Sequence, residues 1–247
     1  MVELADILLA VASFGPALLL LYLTLRNYTF PKVDKPFFDD RKVFAFMTVG
    51  IVLGTVFFFI DSVFGGSSGI GMVLLVGTSV PLLQGLIKLA ILNWPKFQRK
   101  VDTSFYGLSL GLGMSATYSF AKMYQAAKDP SMIGLMGVDI ASLSLVVMMG
   151  VQIVLIHGST TAMIGVGCAR GHQWVYFGYS MMFALAYSYM LYGSAVAADA
   201  FGDIAAVAII LAMWIVCIYA YWHVYRIDLP NLIDDAKRGF KGPIKKG

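Results

Sequence analysis

Long runs of apolar residues set the strongest limit on how this chain can fold. A helix that crosses the hydrocarbon layer of a membrane needs about 20 mostly apolar residues. Runs of that kind occupy residues 4–25, 43–63, 70–93, 104–124, 135–168, 174–197 and 203–225. Of the 247 residues, 59% are hydrophobic and 13% are charged, a composition that excludes an ordinary soluble domain. The sequence therefore predicts an all-α, polytopic membrane protein, a bundle of seven transmembrane helices.

The fifth run, 135–168, is longer than a single crossing requires. It is either one tilted or bent helix, or two short helices separated near Gly158. The charge pattern favours one crossing, because an even number of spans would place the basic C-terminal residues outside the cell.

Lysine and arginine are unevenly distributed between the connecting segments. They cluster between the first and second runs, between the third and fourth, and after the seventh, whereas the segment between the second and third has none. Because cytoplasmic loops are enriched in basic residues, we expect an outside N-terminus and a cytoplasmic C-terminus. Lys122 and Lys128 are the exceptions. The expected organisation is a membrane domain, 1–228, followed by a basic cytoplasmic tail, 229–247.

The composition also indicates location and partners. The basic residues flank apolar runs and form no separate basic domain, so we expect membrane lipid and no nucleic acid as a partner. Cys168 and Cys217 lack the spacing of a zinc site or disulfide framework. We expect no metal and no cofactor, and the basic cytoplasmic side suits a prokaryotic plasma membrane. The seventh run has no lysine for a retinal Schiff base, which excludes that function. Transport stays possible, although no internal repeat supports it.

Two polar side chains interrupt the third run, in the stretch VPLLQGLIKLA. Gln84 and Lys88 are one turn apart and share a helix face, and Gly85 leaves room for a neighbouring helix. An ionisable group at membrane depth is a functional candidate. Lys88 is also close enough to the end of its run for its ammonium to reach the interface, so two interpretations remain open.

A single histidine, His157, interrupts the fifth run. One interpretation is a neutral imidazole that bonds to a neighbouring helix, and the other is a functional group. The fourth run contains Gly107, Gly111 and Gly113, whose spacing lets helices approach closely.

In combination these stretches resemble the PrsW family of glutamic intramembrane proteases, in the wider group of CAAX-processing enzymes and the scaffold subunit of gamma-secretase. VPLLQGLIKLA is similar to that family's P-x-x-E-E-x-x-K motif. Pro81 and Lys88 match it, while Gln84 and Gly85 occupy the positions of the two glutamates. IHGSTTAMIGVGCA resembles a later motif through His157.

The fourth run, YGLSLGLGMSATYSFAKMY, resembles the family's glycine-rich motif that leads to E-N-x-x-x-Y. Gly111, Gly113 and Tyr124 match, but Tyr118 and Ser119 replace the acidic pair. A further family histidine corresponds to Tyr187 or Tyr189, in FALAYSYMLYG.

The resemblance implies a seven-span scaffold without the carboxylate that would take a proton from the attacking water. We therefore expect a non-catalytic protein, a scaffold or binding subunit whose former active-site cleft receives a transmembrane helix, a lipid or a partner. The alternative is a divergent intramembrane hydrolase that uses His157.

The depths of the polar residues give a geometric expectation. Counted from the cytoplasmic ends of four runs, Gln84, Tyr118, His157 and Tyr187 lie at similar levels, at 1.5 Å per helical residue. Because each would lack hydrogen-bond partners in lipid, we expect them to converge with Lys88 on one interior cleft, with Tyr189 as the alternative to Tyr187. In the opposing interpretation each bonds to its own neighbour and no cavity is shared.

Overall fold

The computed structural model describes residues 4–30, 32–33, 36–64, 70–128 and 140–238. Within these ranges the chain forms helices and no strand. The helices are α1 (Leu4–Leu25), α2 (Asp40–Phe64), α3 (Ile70–Leu92), α4 (Asp102–Lys128), α5 (Ile140–Arg170), α6 (Gln173–Phe201), α7 (Asp203–His223) and α8 (Leu229–Lys237). The all-α prediction is confirmed for this part of the chain.

Five of the described helical segments are long and apolar enough to cross a membrane. They are Asp6–Leu25, Asp40–Val63, Val73–Leu92, Val147–Arg170 and Ile204–Lys237. Helices α4 and α6, with 27 and 29 residues, have sufficient length but are not among the five. The number of crossings therefore remains a prediction, as does the orientation of the termini.

Helix α4 lies at the centre of the bundle. Every residue from 103 to 116 is buried, and the helix packs chiefly against α5, α2 and α1. Its interior serines bond to backbone carbonyls, as when the Ser109 hydroxyl donates to the carbonyl oxygen of Val43 on α2, at 2.5 Å. A helix covered by other helices can carry such polar groups, which explains why α4 is less apolar than its neighbours.

Glycines bring α4 into close contact with both main neighbours. On α2, a Cβ atom added to Gly50 would overlap the backbone of Leu110. Towards α5, a Cβ atom at Gly111 would lie 2.7 Å from Oγ1 of Thr161, and one at Gly107 would lie 2.7 Å from the Thr161 carbonyl oxygen. The close helix approach predicted from the glycine spacing is therefore present.

The long fifth run forms a single helix over its described residues. Helix α5 continues from Ile140 to Arg170 without a break at Gly158, and residues 135–139 lie outside the described ranges. Gly158 instead permits close packing, because an added Cβ atom would lie 2.7 Å from Cδ2 of Leu112. Two short helices are thus excluded between residues 140 and 170.

The helical chain continues beyond the seventh run. A π-helical segment, Val224–Asp228, joins α7 to α8, and Leu229 and Leu232 of α8 are fully buried. Arg170 also forms an ion pair with Asp235 on α8, with an N–O distance of 2.9 Å. The packed bundle therefore extends past residue 228, where the sequence placed the start of a basic tail, and residues 239–247 lie outside the described part.

The contact between α2 and α4 gives a test of the packing. We expect Gly50→Ala to lower the free energy of unfolding by about 1–3 kcal/mol, because the new methyl group must push two backbones apart. Gly15→Ala on α1 is the control, since no described heavy atom lies within 4 Å of its added Cβ. There alanine should stabilise the helix by up to about 1 kcal/mol. Thermal unfolding in detergent measures both variants, and equal stability would contradict the packing.

Candidate functional site

A small cavity of about 40 Å³ lies between α3, α4, α5 and α6. Its lining includes all five residues that were expected to converge: Gln84, Lys88, Tyr118, His157 and Tyr187. The shared cleft is therefore present, and the opposing interpretation, in which no cavity is shared, is wrong. The role of these residues in any chemistry is a separate question.

The shortest polar contact across the cavity joins α3 to α5. The Nζ atom of Lys88 lies 3.2 Å from Nδ1 of His157. The Lys88 side chain is turned inward and the residue is only 3% exposed. The alternative in which its ammonium reaches the membrane interface is therefore wrong. An ammonium can only donate, so with charged Lys88 the Nδ1 atom accepts and Nε2 carries the imidazole proton.

The local sequence of α3 places these groups. Gln84 is one turn from Lys88 on the same face and is 5% exposed. Gly85 faces α6, where an added Cβ atom would lie 3.0 Å from Sδ of Met181 and 3.1 Å from Phe177. Gly85 thus permits the approach of α6, as expected from the sequence, and it does not line the cavity.

Tyr118 connects the cavity to a buried carboxylate. Its hydroxyl donates to Oδ2 of Asp61 on α2, at 3.0 Å, and its ring lies edge-to-face with His157, with centroids 5.7 Å apart. Asp61 also accepts a hydrogen bond from Tyr192 and forms an ion pair with Lys122. The Asp61 side chain is fully buried, so these donors replace its hydration.

Sequence analysis missed Asp61, although two signals were present. It is the sole ionisable residue in the run 43–63, and Lys122 was an exception to the charge pattern. Asp61 and Lys122 form one ion pair. An acidic residue inside an apolar run and a lysine on the side where few basic residues are expected could have indicated that Asp61 and Lys122 pair with each other.

Besides Gly85, two predicted positions do not join the cavity. Tyr189 is 36% exposed, and its hydroxyl lies 2.6 Å from Oγ1 of Thr78. Tyr187 is therefore the residue of α6 that lines the site. Ser119 is buried and donates to the carbonyl oxygen of Ala116, at 3.2 Å, within its own helix.

A second cavity of about 280 Å³ adjoins the first. The two share Tyr118, Leu191 and Tyr192 in their walls. The larger cavity is mostly apolar, with Lys122 and Gln125 as polar groups. The Asp61 ion pair thus lies beside the boundary between a small polar cavity and a larger apolar one.

The central cavity is rich in hydrogen-bond donors. Its described lining contains the ammonium of Lys88, the imidazole of His157, the amide of Gln84 and several hydroxyl groups, but no carboxylate. The Asp61 carboxylate already forms an ion pair with Lys122 and accepts hydrogen bonds from two tyrosines. The lining can therefore bind and orient a polar group, but it offers no carboxylate to take a proton from water.

No protein-family model, curated protein or solved structure matches this chain. The resemblance to PrsW proteases therefore remains a prediction from short motifs.

The Asp61–Lys122 pair gives a second test. We expect Lys122→Gln to lower the free energy of unfolding by about 1–3 kcal/mol, because it leaves a fully buried carboxylate without its cation. Lys42→Gln is the matched control, since Lys42 and Asp39 are 44% and 45% exposed and 3.5 Å apart. Breaking such a surface pair should cost less than about 1 kcal/mol.

Chemical denaturation of both variants in the same detergent measures this difference. Equal losses of stability would show that Lys122 is not required to compensate the buried charge of Asp61.

Proposed function

We propose that this chain is a seven-span membrane protein that binds a small polar group in its central cavity without hydrolysing a bond. In this proposal it is a non-catalytic relative of the PrsW proteases that acts as a binding or scaffold subunit. The N-terminus lies outside, and the C-terminus lies on the cytoplasmic side of a plasma membrane, which we take to be prokaryotic.

The observation that carries the proposal is the lining of the cavity. Hydrolysis by a glutamic protease needs a carboxylate that activates water. Gln84 occupies the position where the motif has a glutamate, and an amide does not accept a proton at useful pH. Its neighbour Lys88 contacts His157 and not an acid. These groups favour binding over hydrolysis.

The size of the cavity decides between the possible occupants. A helix with its side chains is about 10–12 Å across, so a volume of about 40 Å³ excludes a whole transmembrane helix unless α3 and α6 separate. A single polar group of a ligand, lipid or partner fits this space better. A partner helix would instead contact the outer faces of the bundle.

The alternative, a hydrolase that uses His157, has one supporting observation, the contact between the imidazole and Lys88. While Lys88 is protonated, that contact occupies Nδ1, and Nε2 then carries the imidazole proton and cannot act as the base. The geometry therefore favours the binding function.

The proposed topology predicts labelling from opposite sides. After Cys168 and Cys217 are replaced by alanine, Phe30→Cys should be cytoplasmic and Asp199→Cys should be outside. Both positions are exposed. A membrane-impermeant maleimide applied to intact cells should modify only the Asp199→Cys variant. Modification of both from the same side would contradict the seven-span arrangement.

The absence of a suitable base predicts that the reconstituted protein does not cleave membrane substrates. In proteoliposomes with single-span substrates, we expect no product where an active PrsW-type protease gives one. Gln84→Glu combined with Gly85→Glu need not restore cleavage, because Tyr118 and Ser119 would still depart from the family's second acidic motif. Cleavage by the wild-type protein that disappears in His157→Ala would instead establish the hydrolase.

A further inference from the structure

The buried Lys88 and the half-buried Lys122 differ in how their charges are compensated. Lys122 forms an ion pair with Asp61. No described carboxylate lies within 4 Å of the Lys88 ammonium, whose hydrogen-bond partner is His157. Because Lys122 and Asp61 cancel each other, a protonated Lys88 gives the polar cluster one positive charge that no described carboxylate balances.

Further donors point to the same space. The Tyr187 hydroxyl finds no hydrogen-bond partner among the described residues, although Tyr187 is only 7% exposed. The Gln84 amide also lines the cavity. An unpartnered hydroxyl at this depth is costly, and an acceptor in the cavity would satisfy it together with the free N–H bonds of Lys88.

The volume restricts the ligand. A cavity of about 40 Å³ has roughly three times the volume of about 10–15 Å³ that one water molecule needs. A halide ion or a single carboxylate group is of this size.

From these observations we propose that the central cavity binds a small monovalent anionic group, with Lys88 as its counter-charge and the Tyr187 hydroxyl as a donor. The group is either a free anion or the carboxylate end of a larger apolar molecule. This inference rests on the proposed function, in which the cavity binds and does not hydrolyse. A cation would be repelled by Lys88, and a neutral ligand would leave the buried charge uncompensated.

The test uses the full chain, purified in detergent in a gluconate buffer of constant ionic strength. Chloride, formate and decanoate are added in separate titrations, and the thermal midpoint of unfolding is recorded. A ligand that binds only the folded protein raises this midpoint, by roughly 5 °C at a hundredfold excess over Kd. Equilibrium binding of radiolabelled chloride or formate gives the stoichiometry, which should be one per chain.

Three variants assign the site. Lys88→Met should abolish the saturable rise, and Tyr187→Phe should weaken binding about tenfold, which is the value of one hydrogen bond to a charged group. Lys96→Met removes an exposed lysine from a loop and should leave the titration unchanged. If Lys88→Met does not fold, Tyr187→Phe still tests the site, because its Kd is measured on folded protein.

The three titrations separate the sources of the anionic group. Saturable binding of chloride and formate without decanoate supports a free anion, whereas tighter binding of decanoate supports the carboxylate end of an apolar molecule. No saturable binding to the wild-type protein, or unchanged binding in Tyr187→Phe, overturns the anion site. Such a failure leaves the proposed function standing, because a neutral polar group can still bind in the cavity, whereas cleavage of membrane substrates contradicts that proposal directly.

Discussion

The close contact of α4 with α2 and α5 is the constraint on which the rest of the structure depends. Between transmembrane helices, lipid provides no hydrophobic driving force, so association depends on packing and hydrogen bonds. Gly50 brings α2 against α4, and Gly107 and Gly111 bring α4 against α5. Because this packing covers α4, the helix can carry serines and tyrosines without exposing them to lipid. Its composition is thus a consequence of its central position, and the position depends on the glycines.

The same packing places the polar groups of the site. Tyr118 on the central helix reaches Asp61 on α2 with its hydroxyl and contacts His157 on α5 with its ring. His157 in turn contacts Lys88 on α3. Four helices are therefore connected by one polar cluster. In a membrane each of these groups would be costly without its partner, so the contacts that form the site also fix the relative positions of the helices.

The fold was largely predictable because the length of an apolar run is a local property. Helix α3, for example, begins at Ile70 and ends at Leu92, within one residue of the predicted 70–93. For the site, the sequence predicted the depth of each polar residue along its helix but not the face on which the residue lies. Tyr187 and Tyr189 have similar depths but lie on different faces, and the rotation of α6 that selects Tyr187 depends on contacts such as Thr78 with Tyr189. Asp61 was missed because its importance comes from a partner on another helix.

The residue one turn before Lys88 affects both the capacity for hydrolysis and the compensation of the lysine charge. Lys88 is close enough to the end of its apolar run for its ammonium to reach the membrane interface. The structure instead directs the side chain inward, to His157. One turn earlier on the same face, Gln84 occupies the position at which the resembled motif has a glutamate. A glutamate there would supply both the base for hydrolysis and the negative charge that compensates the lysine. A glutamine there offers no base, and a protonated Lys88 remains without a described carboxylate to compensate it. On the proposed alignment, the loss of hydrolysis and the capacity to bind an anion therefore have the same physical origin.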